Sequence, residues 1–477
     1  MLAIAAACIP GVWTLARAIF APKPVVHAAA ILPDLKATPR PAPWTNAQRL
    51  ALRRALDDAF APALSDRYSL AVIDATGQVI YAVHARTAVT PASVQKLIVA
   101  DTALHVLGPQ YRFDTLLTAN APPDDGTIDG DLWLVGSGDP SLSSNDLRGG
   151  VAELDRAGVR RIDGAVAVDA AEMSGPEINP YWDPNDANED FQVPTSAISI
   201  DDDTAQFRIY GGEPGAPARV TVVPASSDLH LSGEIRTSSD ADDVVIAADA
   251  PNDFALSGSI PADAEEKFNL PVHDMPVYAG RVLQRMLRDV GVAIEQRPTT
   301  GEAPLASVAL WDHRSAPLRA LIAHMLYVSD NHYAEQFMRT LGIAAGGRGD
   351  DADGLAAERA FLRAQGIPTD GLHVVDGSGL AESDRVAAIT LARILSRSNL
   401  YPLLPEGGRD GTLAHYDFTT ALGRVRAKTG HLSDADSLAG YVTTMHHGRL
   451  AFAFMINDSP GDPDGSYVEA VDRLATF

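Results

Sequence analysis

The chain has 477 residues, of which 46% are hydrophobic and 21% charged, and its formal net charge at pH 7 is -24. This length allows about three domains. The acidic balance argues against a nucleic-acid partner, because phosphate binding needs clustered lysine and arginine, and it favours a well solvated surface. Cys8 is the only cysteine, so no internal disulfide can form.

The N-terminus has the composition of an export segment. Residues 1–30 are apolar and small, and they resemble a signal peptide or a retained N-terminal membrane anchor, although Arg17 interrupts the run and a basic opening is missing. Export to the periplasm or another extracytoplasmic space is therefore expected, and a plain terminal tail is the alternative. The proline-rich residues 31–43 predict a linker.

Ordered structure is predicted to begin after the linker. Thr45 and Gln48 have the spacing of a capping box and predict a helix to about residue 60. Two β-type runs at 68–74 and 78–83 predict a hairpin. The run 93–107 contains neither glycine nor proline before its end and predicts a second helix.

The middle of the chain is predicted to be rich in strands. Short strands are expected between residues 113 and 168, including one at 161–168, and the Asp-, Gly- and Pro-rich part up to residue 253 predicts a small all-β module. Its acidic runs 201–203 and 240–243 are either calcium sites or solvated turns. Neither run has the glycine and distal glutamate of a known calcium loop, which favours turns.

The last part of the chain returns to helices and ends in strands. Helices are predicted at 276–290, 317–341, 354–365 and 387–395, and strands at 422–428, 437–444 and 450–456.

Ser93 and Lys96 form the first candidate site. Residues three apart on a helix share a face, so the amine of Lys96 is expected about one turn from the Ser93 hydroxyl. An amine that can take the hydroxyl proton activates serine as a nucleophile. The Ser-x-x-Lys spacing alone is common in helices and is not specific.

Two further motifs supply the partners that this chemistry needs. In the first, Ser329-Asp330-Asn331, Ser329 is predicted to relay a proton to a leaving amine, and Asn331 to hold Lys96 and a substrate amide. In the second, Lys428-Thr429-Gly430, Lys428 and Thr429 offer a cation and a hydroxyl to a carboxylate, and Gly430 lets a substrate lie close to the strand.

An oxyanion would also need backbone donors. The N–H groups of Ser93 and His431 are the expected pair.

These motifs carry a family resemblance. The order Ser-x-x-Lys, Ser-Asp-Asn, Lys-Thr-Gly is typical of penicillin-binding proteins and class A β-lactamases. The chain resembles the D,D-carboxypeptidase/endopeptidases among the low-molecular-mass class C penicillin-binding proteins over nearly everything after the linker. Further matching segments are Gly138-Asp139-Pro140-Ser141-Leu142, Ser196-Ala197-Ile198-Ser199, Ala334-Glu335, Asp376-Gly377-Ser378-Gly379-Leu380, Asp410-Gly411-Thr412-Leu413 and Leu438-Ala439-Gly440-Tyr441.

The resemblance implies a multidomain α/β fold in which a penicillin-binding, serine β-lactamase-like α/β domain is interrupted by two nested β-rich insertion domains. The long separation of Ser93 from Ser329 suits such an insertion and is too long for a class A β-lactamase. The implied domains are a catalytic domain at 44–112 and 308–477, an insertion domain at 113–180 and 254–307, and a nested β domain at 181–253.

The resemblance also implies the activity. Ser93 would attack a D-Ala-D-Ala peptide bond of a peptidoglycan stem peptide or a D,D cross-link, water would release the acyl-enzyme, and β-lactam antibiotics would acylate the same serine. No metal and no cofactor are implied. A non-catalytic peptidoglycan-binding or sensor protein that keeps the fold is the alternative, and a β-lactamase is a third hypothesis.

Two features depart from the resemblance or extend it. Relatives commonly carry threonine or serine after Lys-Thr-Gly, whereas this chain has His431, so one hydroxyl for the substrate carboxylate is missing and the substrate preference is in question. Asp183 or Asp186 is expected to receive the free amine of a diaminopimelate stem, and an acidic surface loop is the alternative.

Three other patterns are weaker. Adjacent His446 and His447 would point to opposite faces of a strand and make a poor metal pair. His332 is expected to be an ordinary helix residue. The segment 376–379 only loosely resembles a nucleophile elbow and predicts a structural loop.

Overall fold

The computed structural model describes residues 42–226 and 229–477. The predicted signal peptide or anchor, Cys8 and nearly all of the predicted linker lie outside the described residues. Within the described ranges, no helix has the length and apolar character needed to cross a membrane.

The described residues contain nine α-helices: α1 (Asn46–Phe60), α2 (Lys96–Val106), α3 (Ser144–Arg156), α4 (Met275–Asp289), α5 (Leu318–Val328), α6 (Asn331–Ala344), α7 (Asp351–Ala364), α8 (Ala388–Arg397) and α9 (Pro463–Ala475).

The strands of the same residues, in chain order, are β1 (Arg67–Ile73), β2 (Val79–Val83), β3 (Ala88–Val89), β4 (Asp114–Ala119), β5 (Thr127–Ile128), β6 (Leu132–Val135), β7 (Arg161–Ile162), β8 (Val166–Asp169), β9 (Thr204–Tyr210), β10 (Arg219–Val223), β11 (His230–Gly233), β12 (Arg236–Ser238), β13 (Val245–Ala250), β14 (Asp253–Ser257), β15 (Ser259–Pro261), β16 (Glu265–Pro271), β17 (Ala293–Ile294), β18 (Thr299–Thr300), β19 (Val308–Arg314), β20 (Val386–Ala387), β21 (Val425–Leu432), β22 (Ala435–Thr443) and β23 (Arg449–Asn457).

The described chain divides into two compact units, so the prediction of a multidomain α/β fold is confirmed. We call residues 42–112, 173–195 and 316–477 the motif-bearing unit, and residues 113–172 and 196–315 the inserted unit. The finer split of the insertion into two nested domains stays a prediction.

The segment 173–195 belongs to the motif-bearing unit, whereas the resemblance implied that it lies in the inserted domains. Hydrogen bonds within the motif-bearing unit account for this placement. The Trp182 indole N–H donates to Asp376 Oδ2 at 2.9 Å, and the Asn179 amide donates to the Val375 carbonyl at 2.8 Å. Arg339 donates to the carbonyl of Thr195 at 3.1 Å. These long-range contacts could not be read from composition.

The motif-bearing unit is built on an antiparallel sheet in the order β2-β1-β23-β22-β21. Every residue of β23 after Arg449 is buried, which indicates that both faces of the sheet are covered. Phe60 of α1 and Tyr467 of α9 pack around Phe454 of β23. Helix α9 was not predicted from the sequence. Strand β21 lies at the edge of this sheet and carries the third motif.

Helix α1 begins with the predicted capping box. The Thr45 hydroxyl accepts from the Gln48 backbone N–H at 3.2 Å, and the Gln48 side chain accepts from the Thr45 N–H at 3.0 Å. The predicted hairpin is β1 and β2. Local sequence therefore decides these first elements.

The predicted single helix at 317–341 is wrong, because the chain forms two helices, α5 and α6. Ser329 has a left-handed backbone with φ of 66° and ends α5, and the Asp330 side chain caps α6 by accepting from the Tyr333 N–H at 3.1 Å. The apolar pattern runs through this break and hides it. The break places Ser329 and Asn331 at helix ends.

The inserted unit contains a five-stranded sheet, β18-β8-β6-β4-β19, and several smaller sheets. The predicted strand at 161–168 is two strands in different sheets: β7 pairs with β5 and β17, and β8 pairs with β6 and β18. Gly164 lies in the bend between them. Helix α3 was not predicted.

The acidic run 201–203 forms a turn. Asp201 Oδ1 accepts from the Ser144 backbone N–H at 3.0 Å, as side chains of turn residues commonly do.

Candidate active site

Ser93 lies in a tight 3-10 turn, Ala92–Gln95, that leads directly into α2. Ala92 has a positive φ of 50°, unusual for a residue other than glycine. The Lys96 amine donates to Ser93 Oγ at 2.9 Å. Ser93 is partly exposed and Lys96 is fully buried, so the hydroxyl can be reached from solvent while its partner cannot.

Lys96 has three hydrogen-bond acceptors. Besides Ser93, its Nζ donates to Asn331 Oδ1 at 2.6 Å and to the Ser378 carbonyl at 2.8 Å. Burial lowers the pKa of Lys96 to about 8, against a smaller opposing effect of nearby carboxylates, first Asp376. A lysine with this pKa is available as a base near neutral pH.

Lys428 forms a second buried ammonium position beside the first. Its Nζ donates to Ser329 Oγ at 2.8 Å and to the Thr429 carbonyl at 2.7 Å. Burial, and then the charge of Lys96, hold the pKa of Lys428 well below its ordinary value. The structure thus joins the first motif to the second through Lys96 and Asn331, and the second to the third through Lys428 and Ser329.

Gly430 occupies a position where no side chain fits. A Cβ there would lie 2.7 Å from the Ser93 nitrogen and 2.4 Å from Ser437 Oγ. The edge strand can therefore pass close to the backbone N–H of Ser93 only with glycine at this position.

Thr429 meets a hydroxyl that was not predicted from the sequence. Its Oγ1 donates to Thr412 Oγ1 at 2.8 Å, and Thr412 is partly exposed. The segment Asp410-Gly411-Thr412-Leu413 carried the family resemblance, which was the available signal, but spacing along the chain cannot show that two hydroxyls meet.

His431 lies in an acidic cluster that was also not predicted. Its Nε2 lies 3.3 Å from Asp464 Oδ2, 3.3 Å from the Tyr416 hydroxyl and 3.8 Å from Asp436 Oδ1. The Tyr416 hydroxyl donates to Asp464 Oδ1 at 2.6 Å. The hydrogen bond with Asp464 raises the pKa of His431 above its ordinary value, although partial burial opposes it.

Asp183 and Asp186 lie in a short 3-10 turn of the 173–195 segment. The Asp183 carboxylate accepts from the backbone and side-chain amides of Asn185 at 2.9 and 2.8 Å. The same segment reaches the second motif, because the Asn331 amide donates to the Phe191 carbonyl at 2.9 Å. Recognition of a substrate amine by Asp183 or Asp186 stays a prediction.

The remaining patterns have structural roles. His447 stacks on Trp44 with ring centroids 3.9 Å apart, and its Nδ1 is 2.7 Å from the Ala42 carbonyl, whereas His446 is exposed. His332 is buried in α6. The loop at 376–379 contacts Lys96. The hydrogen bond from Lys96 to its Ser378 carbonyl was not predicted.

Known proteins share this sequence pattern over most of the chain. A model of the D-Ala-D-Ala carboxypeptidase 3 (S13) family matches residues 52–476. The D-alanyl-D-alanine carboxypeptidase of Actinomadura sp. (strain R39) is 31% identical over 473 residues, which cover 93% of this chain and 88% of the relative. The D-alanyl-D-alanine carboxypeptidase DacB of Haemophilus influenzae is 28% identical over 406 residues, which cover 81% and 84% of the two chains.

A solved structure shares the fold. The crystal structure of penicillin binding protein 4 (dacB) from Haemophilus influenzae superimposes with a TM-score of 0.78 at 24% identity, over 88% of this chain and 99% of that one.

Proposed function

The chain belongs to the D-Ala-D-Ala carboxypeptidase 3 (S13) family, and from this premise we propose which bonds it cleaves and which residues cleave them. The family resemblance drawn from the motifs is confirmed. The protein is a serine-type D,D-peptidase. Its proposed substrates are peptidoglycan stem peptides, cut at the terminal D-Ala-D-Ala bond or at D,D cross-links.

Ser93 is the proposed nucleophile and Lys96 its base. The neutral amine of Lys96 takes the hydroxyl proton while Ser93 Oγ adds to the carbonyl carbon of the penultimate D-alanine. The backbone N–H groups of Ser93 and His431 are the proposed donors to the oxyanion. The single observation that carries this proposal is the 2.9 Å contact between a buried lysine amine and a partly exposed serine hydroxyl.

Ser329 and Lys428 are proposed to serve the leaving group. When the C–N bond breaks, the departing nitrogen needs a proton, which the Ser329 hydroxyl gives and regains from the Lys428 ammonium. The proton that Lys96 took from Ser93 replaces the one that Lys428 gave up. The 2.8 Å contact from Lys428 to Ser329 supports this path. A lysine whose pKa is well below its ordinary value releases a proton more readily than an exposed one.

The edge strand β21 is the proposed binding site for the substrate. The start of its outer edge is occupied, because the Ala427 N–H donates to the Pro405 carbonyl at 3.3 Å, and the part from Lys428 onward is proposed to offer backbone groups to an extended peptide. Thr429 and Lys428 are proposed to bind the terminal carboxylate. Thr412 supplies a second hydroxyl 2.8 Å from that of Thr429.

Water then completes the cycle by hydrolysing the ester between Ser93 and the acyl group. A β-lactam would acylate the same hydroxyl. Peptidoglycan lies outside the cytoplasmic membrane, so this substrate requires export, in agreement with the N-terminal composition predicted to be a signal peptide or anchor.

Labelling with a fluorescent penicillin tests the nucleophile. We expect covalent labelling of the wild type and none of Ser93→Ala, and equal labelling of both would refute the assignment. A wild type that is not labelled would instead favour the non-catalytic alternative. Release of the label within seconds would indicate a β-lactamase, whereas a peptidase keeps the adduct for minutes.

Purified muropeptides test the substrate. Incubation with pentapeptide monomers and with cross-linked dimers is expected to release free D-alanine from the first and to separate the chains of the second, and the ratio of the two rates gives the preference. If the enzyme is acylated by penicillin but cleaves neither substrate, the proposed substrate class is contradicted.

A further inference from the structure

Lys96 needs more than a low pKa to act as a base, because its lone pair must point at Ser93. A neutral amine keeps two N–H donors, whereas the ammonium has three. Two fixed acceptors besides Ser93, namely Asn331 Oδ1 at 2.6 Å and the Ser378 carbonyl at 2.8 Å, match those two donors. If both are occupied, the lone pair is left facing the Ser93 hydroxyl.

The Ser378 carbonyl owes its position to a buried glutamate. Glu335 on α6 is 2% exposed. Its Oε1 accepts from the backbone N–H groups of Gly377 at 3.0 Å and Ser378 at 2.8 Å, and its Oε2 accepts from Gly377 at 3.1 Å. These bonds fix the peptide that precedes the Ser378 carbonyl.

A buried aspartate fixes the same loop from its other end. Asp376 Oδ1 accepts from the Gly379 N–H at 2.7 Å and from the Gln95 amide at 3.0 Å, and its Oδ2 accepts from the Ala381 N–H at 2.8 Å and from the Trp182 indole at 2.9 Å. Gln95 directly precedes Lys96, so this carboxylate ties the loop to the turn that carries the nucleophile.

The loop also packs directly against that turn. Gly379 has a φ of +78°, and a Cβ there would lie 2.1 Å from the Ala92 carbonyl oxygen. The loop therefore has little room to shift without moving the Ser93 turn or losing its contact with Lys96.

We propose that Glu335 and Asp376 are positioning residues for Lys96, which hold the 376–381 loop so that the Ser378 carbonyl orients the Lys96 amine toward Ser93. This inference rests on the proposed function and goes beyond it, because neither residue touches the substrate.

Charge gives the proposal a second readout. The titratable groups that face Lys96 are Lys428 on β21, Asp330 before α6, Glu335 on α6 and Asp376 in the loop. Burial raises the pKa of Glu335 to about 8. Above that pH its carboxylate stabilises the ammonium form of Lys96, so removing Glu335 should lower the pKa of Lys96 and move its deprotonation to lower pH. A residue that supports only the fold would not move that midpoint.

The test compares Glu335→Gln with the wild type by the second-order rate of acylation with fluorescent penicillin, measured from pH 6 to pH 10. We expect a rate lower by about 10- to 100-fold at the optimum, since small misplacements of a catalytic group have effects of this size. We also expect the rising limb of the pH–rate profile to be displaced to lower pH. Thermal unfolding is recorded for both proteins to show that the variant is folded.

Trp182→Phe provides a second variant that keeps an aromatic ring at this position and removes one donor to Asp376. It is expected to lower the acylation rate by a few-fold, as the loss of one hydrogen bond allows. This variant keeps the proposal testable if Glu335→Gln fails to fold.

Asp139→Asn is the matched control. Asp139 is a buried carboxyl group of the inserted unit whose pKa is raised by burial, and its Oδ1 accepts from the backbone N–H and the hydroxyl of Ser141 at 2.9 and 2.7 Å. It should leave the acylation rate and the limb unchanged. A wild type that is not acylated would refute the proposed function, whereas equal rates and equal limbs in wild type, Glu335→Gln and Trp182→Phe would overturn this inference alone.

Discussion

Lys428 and His431 stand three residues apart on β21, yet their environments are opposite. The Lys428 side chain is fully buried, and its pKa is lowered by burial. The His431 side chain is 47% exposed, and its pKa is raised by a hydrogen bond to Asp464. One strand therefore carries a centre where burial favours neutral amines and an edge where carboxylates favour a charged imidazole.

The difference assigns separate tasks to the two positions. The buried centre, formed by Lys96 and Lys428, is suited to moving protons, because its pKa values are shifted toward neutral pH. The exposed edge around His431 is suited to contact with substrate or solvent. Substitutions in the centre should therefore affect the chemical step strongly, and substitutions at the edge should affect it weakly.

Replacing the base at the centre should have the largest effect. Lys96→Met keeps the length of the buried chain and removes the amine, and it should lower the rate of penicillin acylation by about 10³-fold or more, the upper range for general-base catalysis. The control Lys267→Met removes an exposed lysine of the inserted unit and should leave the rate unchanged. A Lys96→Met protein that is acylated at the rate of the control would show that Lys96 is not the base.

The pH dependence should be the next largest effect. The base form of Lys96 is the deprotonated amine, and its pKa is lowered from 10.5 to about 8. The acylation rate should therefore rise with pH until about pH 8, and fall by about tenfold per pH unit well below that value. A rate that stays flat from pH 6 to pH 9 would show that another group limits the reaction.

The pair of hydroxyls at the proposed carboxylate-binding site, those of Thr429 and Thr412, should have a moderate effect. Thr412→Val removes the hydroxyl that lies 2.8 Å from Thr429, and it should lower kcat/KM for peptides with a free terminal carboxylate by about three- to tenfold, as for one hydrogen bond. Thr412→Ser restores the hydroxyl and serves as the control. Equal kcat/KM values for the valine and serine variants would show that the Thr412 hydroxyl does not contribute to binding the terminal carboxylate.

The smallest effect should be at the exposed edge, on stability. The folded pKa of His431 is raised, so its contribution is fully present below the unfolded pKa near 6.5 and is lost as pH rises through the folded value. The difference in unfolding free energy between wild type and His431→Gln should therefore shrink as the pH rises, and should stay under about 1 kcal/mol because the side chain is half exposed.

Denaturant unfolding at several pH values measures that difference, with His446→Gln at an exposed position as the control. A gap between wild type and His431→Gln that widens as the pH rises would contradict the expected direction.

Much of the local structure followed from local signals. The capping box of α1 and the hairpin of β1 and β2 were predicted because each depends on neighbours within a few residues. The break between α5 and α6 was missed, since Ser329 adopts a left-handed backbone inside a continuous apolar pattern. Serine adopts that conformation only when surrounding contacts enforce it.

The same division holds for the site. The sequence identified Ser93, Lys96 and the other two motifs, because the chemistry requires those residue types in that order. Thr412, Ser378 and Asp464 were not identified, since a hydroxyl, a backbone carbonyl and a carboxylate are common groups. Only their distances to Thr429, Lys96 and His431 make them relevant.

The amino-acid sequence by itself determines the family, the three motifs and the departure at His431. How far each lysine lies from water and from its acceptors is a property of the folded chain alone. Lys96 and Lys428 are ordinary lysines in the sequence, and the fold lowers the pKa of both by burying them side by side. Desolvation depends on the atoms that surround a group in space, and those atoms come from segments that are far apart in the chain.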